Sequence, residues 1–198
     1  DMLLSILNDI LDYSKIESGD LNVLKRQFAL REEFYSIAAE MRRRASAKGL
    51  AFSMDLDDAM PWSVIGDPRH LRRILLNLLG NAVKFTDKGR VKFGVVWVAR
   101  DKDGATGVKF VVTDTGPGIT PEVARNLFNP FQQGDSSNTR KHGGLGLGLT
   151  IANRLALQLG GRLTFETKED SGTTFTFFLP TREIDERAVR TFQPRDRE

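Results

Sequence analysis

The segment ILLNLLGNAVKFT, residues 74–86, carries two carboxamides and an ammonium at spacings that suit one side of a helix. At ~100° per residue, Asn77, Asn81 and Lys84 fall within about 60° of one another. Leu71, Ile74, Leu75 and Leu78 take the opposite side and face a core. A carboxamide oxygen is a hard ligand that suits Mg²⁺, an ion that keeps its waters and bridges phosphate oxygens. Lys84 then stands as a charge for phosphate. A helix face that is merely polar has the same pattern, so this segment by itself leaves both readings open.

A second candidate is VVTDTGPGIT, in which Asp114 closes a strand and Gly116 and Gly118 follow. A carboxylate held at a strand end accepts a hydrogen bond from an exocyclic amine such as that of adenine. Glycines let the backbone turn sharply and approach a flat ring. A plain strand-ending turn is the alternative, since Asp-x-Gly is common. The third candidate runs from Thr139 to Gly161, TRKHGGLGLGLTIANRLALQLGG. It lacks the G-x-x-x-x-G-K-[ST] string, and its G-G-x-G-x-G spacing follows a polar loop rather than a strand, so both familiar nucleotide fingerprints are disfavoured. What remains is a glycine-rich loop that opens a helix whose free N–H groups can meet phosphate. Arg140, Lys141 and His142 add positive charge just before it.

The elements that must position these residues follow from periodicity. Residues 2–17 read as a helix with Leu3, Leu7 and Ile10 at helical spacing and Leu4, Ile6 and Leu11 widening the stripe, a face broad enough for a bundle. Gly19 is expected to end it. LNVLKRQFAL reads as a short strand and residues 31–47 as a helix lined by Phe34, Ile37, Ala38, Met41 and Ala45, stopped by Gly49. LAFSMDL alternates like a strand. Asp67 is an N-cap with Pro68 at the first position of a helix that reaches Phe85. RVKFGVVWVAR and GVKFVVTD form a hairpin-like pair, Pro121 opens a short helix, and a helix over about residues 147–159 precedes the strands GRLTFETK and GTTFTFFLP. The sum is an α+β sandwich, one mixed sheet with helices on one face.

The chain has 198 residues with 40% hydrophobic content, enough for one sizeable core. No apolar run is long enough to span a membrane. The N-terminus has no basic leader and starts in mid-pattern, as expected of a piece of a longer protein. With no cysteine there is no disulfide or thiolate metal site. Net charge is +3, and the clusters MRRRASAK and RHLRR have no interleaved aromatics for base stacking, so no nucleic-acid partner is expected.

The order of the motifs is more specific than any one of them. An Asn/Asn/Lys helix is followed by D-x-G-x-G after a strand, then Phe128 and Phe131 in LFNPF, then the glycine loop, then SGTTF. This set resembles the ATP-binding catalytic domain of sensor histidine kinases, within the superfamily shared with gyrase, the mismatch-repair ATPases and a heat-shock chaperone. The resemblance runs from about Met2 to Pro180. It implies a Bergerat-type two-layer α/β sandwich preceded by a helix of a dimerisation bundle. Residues 1–19 would be part of the second helix of the dimerisation and phosphoacceptor bundle, 20–180 the catalytic domain, and 181–198 a charged linker. The wording is most similar to hybrid sensor kinases, which carry a receiver domain downstream.

By that resemblance Asn81 would coordinate Mg²⁺, supported by Asn77, and Lys84 would meet phosphate while Phe85 covers the nucleotide. Asp114 would bind the adenine amine, with Gly116, Gly118 and Ile119 shaping its pocket and Gly172 and Thr173 beneath the base. Phe128 and Phe131 would anchor a lid, and Arg140, Lys141, Gly143, Gly144, Leu145, Gly146, Leu147 and Gly148 would cover the phosphates. The stretch from about Gln132 to Gly144 would be a lid, with residues 133–144 expected to move and Gly146 and Gly148 as a fixed hinge. The superfamily's ATPases carry a water-activating glutamate where this chain has Asn77, and an amide is no general base. The implied activity is therefore a histidine kinase that binds Mg-ATP and hands on the γ-phosphoryl, for which Asn77 and Lys84 count as catalytic. Phosphoryl transfer asks the site mainly for positioning and charge neutralisation.

The chain's histidines are His70 and His142, and neither sits in a phosphoacceptor context. The implied acceptor is a histidine on another helix of the same or a partner protomer, in a homodimer. A response regulator or receiver domain would take the phosphoryl onward. The setting would be the cytoplasmic part of a membrane-associated sensor. Arg73 and Leu145 depart from the family's usual glutamine and threonine. A degenerate regulatory module and a superfamily ATPase are the competing readings. Leu3, Ile6, Leu7 and Ile10 are expected to pair with another chain or with the missing helix of the bundle.

Overall fold

Asp67 starts the helix that carries the candidate residues, and it does so as a buried hub. In this computed structural model, which describes residues 2–18, 22–100, 103–132 and 146–181, its Oδ1 accepts from the backbone N–H of Arg69 at 3.0 Å and of His70 at 3.3 Å. Its Oδ2 accepts from Leu24 N at 2.9 Å and faces Arg69 and His70 Nδ1. Burial alone would raise the Asp67 pKa, but the Arg69 side chain, the Leu24 and His70 amides and the nearby imidazole outweigh it and hold the pKa below the ordinary value. Pro68 at the first helical position forgoes a donor that would be orphaned anyway.

The elements in chain order are α1 (Met2–Glu17), β1 (Arg26–Ala29), α2 (Leu30–Ala47), β2 (Ala51–Leu56), β3 (Ser63–Gly66), α3 (Pro68–Phe85), β4 (Arg90–Val98), β5 (Gly107–Asp114), α4 (Pro121–Arg125), α5 (Gly148–Gln158), β6 (Arg162–Lys168) and β7 (Gly172–Pro180). Gly49 has φ +73° and lets Leu50 N close on Ala45 O, which ends α2 where the sequence puts the stop. Gly160, at φ +75°, does the same for α5, with Gly161 N on Ala156 O. The expected stop at Gly19 lies outside the described residues.

Strands β2-β4-β5-β7-β6 form one mixed sheet, with β2 parallel to β4 and every other neighbour antiparallel. The expected mixed sheet is thus present, and a second, two-stranded ribbon of β1 and β3 adds to it. Strand alternation sets which side chains face the helices. On β5, Val108, Phe110, Val112 and Asp114 are buried while Lys109, Val111 and Thr113 are only partly covered. On β7 the buried alternates Thr173, Phe175, Phe177 and Leu179 continue that layer.

The helices bury their apolar faces against it. Phe34 of α2 meets the rings of Phe93 and Phe110 edge-on at 6.2 and 5.4 Å, and Phe110 stacks on Phe177 at 5.5 Å. All four rings are fully buried, a gain of roughly 1.5–3 kcal/mol each. Leu71, Ile74, Leu75 and Leu78 of α3 are fully buried, as helical spacing requires. α1 packs on α5 through its C-terminal half: Ile16 is buried, Tyr13 meets the Phe131 ring edge-on at 6.1 Å, and Arg154 reaches Glu17 at 3.4 Å. Leu7, Ile10 and Leu11 are exposed, and the side chains of Leu3, Leu4 and Ile6 lie outside the described ones.

Candidate functional site

Asp114 is the last residue of β5 and is only 9% exposed. Its Oδ1 accepts from Gly116 N at 2.9 Å and from Thr173 N at 3.3 Å, so its orientation is fixed by backbone on both sides. Oδ2 receives neither bond. Burial pushes the Asp114 pKa up, and the two backbone hydrogen bonds offset this only in part. The two glycines beside it are needed for close approach. A Cβ at Gly116 would stand 3.0 Å from Asp114 Oδ1 and 3.1 Å from Phe85 O. Gly172, at φ +99°, lies so close to the Asp114 carbonyl that a Cβ there would collide with it. Gly118, at φ +75°, is likewise pressed against the Lys168 carbonyl.

Thr167 extends the arrangement. Its hydroxyl accepts from Ile119 N at 2.9 Å and lies 3.0 Å from the Thr173 hydroxyl. Ile119 and Thr173 are thereby tied to one another, although they come from a loop and from β7. An open depression of about 290 Å³ crosses these strand ends, lined among others by Thr113, Asp114, Thr167, Lys168 and Thr173.

The carboxamide helix lies on the covered side. Asn77, Asn81 and Lys84 are all partly buried on α3. α5 packs against α3 so that a Cβ at Gly148 would stand 3.1 Å from Asn77 Oδ1. The glycine loop's exit and the asparagine helix are thus brought together, which no local pattern predicts. Asn77 Nδ2 is buried without a hydrogen-bond partner among the described residues, and so is Thr150 Oγ1 in the first turn of α5.

Lys84 Nζ sits over the Phe85 ring at 4.9 Å, and burial lowers the Lys84 pKa below the ordinary lysine value. An anion beside it would stabilise the ammonium and oppose that shift. Phe85 itself is 43% exposed. Phe128 packs into the core against Phe165 at 5.8 Å, whereas Phe131, at φ +61° and 62% exposed, turns to Tyr13 of α1. Gly146, at φ +71°, is pressed against the Gln132 backbone, so residues 132 and 146 meet. Leu147 is buried and precedes α5. Arg140, Lys141, Gly143, Gly144 and Leu145, with the expected movement of residues 133–144, lie outside the described residues.

Two participants escaped the sequence reading. Thr150 gives no signal beyond being a threonine in the first turn after the glycines. Lys48, inside a basic run, reads as helix-end charge, yet its ammonium donates to two carbonyls of the last turn of α3, Val83 at 3.0 Å and Lys84 at 2.6 Å, and to that of Thr86 just beyond it at 2.9 Å. Among the described residues no cluster of His, Asp or Glu is arranged to hold a metal. No described helix is long and apolar enough to cross a membrane.

Comparison with known proteins places this geometry. Residues 66–183 match the family described as "Histidine kinase-, DNA gyrase B-, and HSP90-like ATPase". The sensory/regulatory protein RpfC of Xanthomonas campestris pv. campestris is 39% identical over 178 residues, covering 90% of this chain and 24% of RpfC. The signal transduction histidine-protein kinase BarA of Escherichia coli is 37% identical over 177 residues, covering 89% of this chain and 19% of BarA. Among solved structures, full-length ShkA in complex with AMPPNP superposes with a TM-score of 0.79 at 31% identity, covering 92% of this chain and 36% of ShkA. The chain thus spans about a quarter or less of the curated relatives it matches.

Proposed function

Because the chain belongs to the histidine kinase-, DNA gyrase B- and HSP90-like ATPase family, we propose that it is the catalytic domain of a hybrid sensor histidine kinase, binding Mg-ATP and transferring the γ-phosphoryl to a histidine on a dimerisation helix. The observation that carries this reading is the buried carboxylate of Asp114. It is aimed by two backbone N–H groups and sits beside the C-terminal turn of the Asn77/Asn81/Lys84 helix through the close approach of Gly116 to Phe85 O.

The residues fit the ligand. Asp114 Oδ2 is the acceptor for the adenine amine, and Gly116, Gly118, Ile119 and Thr173 make the pocket around the base. Phe85 covers the nucleotide. Lys84 meets phosphate, which explains an ammonium tolerated at a half-buried place. For Mg²⁺, Asn81, partly buried on the same helix as Asn77 and Lys84, would supply a hard oxygen ligand, and an ion with so few protein ligands would retain waters. When bound, Mg²⁺ neutralises phosphate charge. Asn77, whose Oδ1 faces Gly148, would support the metal side, and Gly143, Gly144, Gly146 and Gly148 with Arg140 and Lys141 would cover the phosphates. Asn77 cannot take a proton from water, so nucleotide is held for an incoming imidazole rather than hydrolysed.

Residues 1–19 then form part of a dimerisation helix whose exposed Leu7 and Ile10 seek the helix that bears the acceptor histidine, in a homodimer. Residues 20–180 are the catalytic domain and 181–198 a linker. The phosphoryl passes onward to a receiver domain or response regulator, and the domain works on the cytoplasmic side of a membrane-associated sensor. The test joins the chain to an upstream helix with the acceptor histidine and follows labelled γ-phosphate. Acid-labile, base-stable label on protein is expected, with negligible free phosphate. Steady phosphate release would make it an ATPase, and absence of nucleotide binding a degenerate module.

A further inference from the structure

Lys48 sits immediately after α2, far from Asn77, Lys84 and Asp114 in sequence, yet its ammonium lies within hydrogen-bond distance of three carbonyls at the end of α3, those of Val83, Lys84 and Thr86. A cation at a helix C-terminus satisfies orphan carbonyls and opposes the helix dipole. The turn that projects it is closed by backbone hydrogen bonds. Lys48 N, Gly49 N and Leu50 N all bond back to Ala45 or Ser46, and Ala51 N is fixed on Gly89 O. The side chain is about two-thirds buried and has Asp87 at 3.5 Å.

The backbone it grips is the one that serves the site. Lys84 O is its shortest contact, so the turn that carries Lys84 and Phe85 is held directly. On the other side of this turn, Phe85 O and Thr86 Oγ1 stand 3.1 and 3.3 Å from the place of a Gly116 Cβ, and Gly116 N is bonded to Asp114 Oδ1. Thr86 is fully buried and bonds Ala82 O through both its amide and its hydroxyl. One chain of contacts therefore runs from Lys48 through residues 84–86 to Gly116 and Asp114.

We infer that Lys48 is a positioning residue of the nucleotide site: its ammonium holds the C-terminal turn of α3 in the place that presents Lys84 and Phe85 to nucleotide and seats Gly116 against it. The inference rests on the proposed reading of that site as one for ATP. It acts through backbone, so charge and reach should matter more than chemistry with the ligand.

The test compares Lys48→Met and Lys48→Arg with the parent chain, using amide hydrogen exchange without nucleotide and Mg-ADP affinity by calorimetry. In Lys48→Met the amides of Thr86 and Gly116 should both lose roughly tenfold or more in protection, and Mg-ADP should bind about tenfold more weakly. Lys48→Arg should restore most of both, because a guanidinium keeps the donors and the charge. Ile37→Val, a core change on α2, serves as the stability control and should leave affinity within about twofold. Loss of protection at Thr86 alone, with Gly116 and affinity unchanged, would make Lys48 a helix cap and overturn the inference. An affinity loss matched by Ile37→Val at equal loss of stability would overturn it as well. If the parent chain binds no nucleotide, the ATP reading fails, while the exchange at Thr86 and Gly116 still decides whether Lys48 holds the turn.

Discussion

Replacing Asp114 by asparagine removes a charge and leaves a shape. The two amides that hold Oδ1, Gly116 N at 2.9 Å and Thr173 N at 3.3 Å, demand an acceptor at that position. The asparagine carbonyl must therefore take it, which puts the NH₂ where Oδ2 stood. An adenine amine arriving there meets a donor instead of an acceptor. The loss is one hydrogen bond to a charged group, about 1.5–3 kcal/mol, or roughly 10- to 150-fold in Kd. The fold should not suffer. Burial raises the Asp114 pKa in the folded state, so ionising it costs stability. That cost is absent below the unfolded value of about 3.9 and fully present above the folded one. Asparagine carries no such cost, and the variant at neutral pH should melt at or above the parent. The assay is Mg-ATP calorimetry of both chains across pH, with melting measured in the absence of nucleotide. As pH falls through the raised Asp114 pKa, the parent should lose affinity relative to the variant until the two converge, since comparison of the pair cancels the titration of ATP itself. An affinity within about twofold of the parent at neutral pH, with melting unchanged, would refute the assignment of Asp114 to the base.

Asp67→Ala should destabilise the domain by roughly 2 kcal/mol in urea unfolding, from a lost cap and the lost bond to Leu24 N. Asp67→Asn should keep most of the cap yet flatten the acid limb: the folded pKa is depressed, so its stabilisation is present above the unfolded value and lost as pH falls through the folded one. Gly172→Ala should cost about 1–3 kcal/mol and weaken nucleotide binding, because φ is +99° and the added Cβ strikes the Asp114 carbonyl. Gly160→Ala, strained in φ but with only Pro180 Cγ nearby at 3.8 Å, should lower the melting temperature and leave binding alone. Phe34→Ala removes the ring between Phe93 and Phe110 and should cost about 3–5 kcal/mol by denaturant titration.

Much of the fold was legible because its signals are local. Asp67-Pro68 announces the start of α3, Gly49 announces where α2 stops, and alternation in LAFSMDL marks β2. β3 was not legible: Ser63–Gly66 is four residues without alternation, and it is a strand because β1 lies beside it. The site divides in the same way. Asn77, Asn81, Lys84, Asp114 and the glycines stand out by type and spacing. Lys48 and Thr150 do not, because an ammonium in a basic run and a threonine in a helix acquire meaning only from what they touch.

The amino-acid sequence by itself determined the shared helical face of Asn77, Asn81 and Lys84, since the period of 3.6 follows from backbone geometry alone, and the place of Asp114 at a strand end, since glycines mark the turn after it. Only the tertiary structure decided that Asn77 lies against Gly148, that Thr173 N reaches Asp114, and that Lys48 closes the end of α3. Those meetings join residues far apart along the chain, and no local preference fixes them. They follow from how α2, α3 and α5 bury their apolar faces on one side of the sheet, with glycines set where two backbones must come closer than any side chain allows.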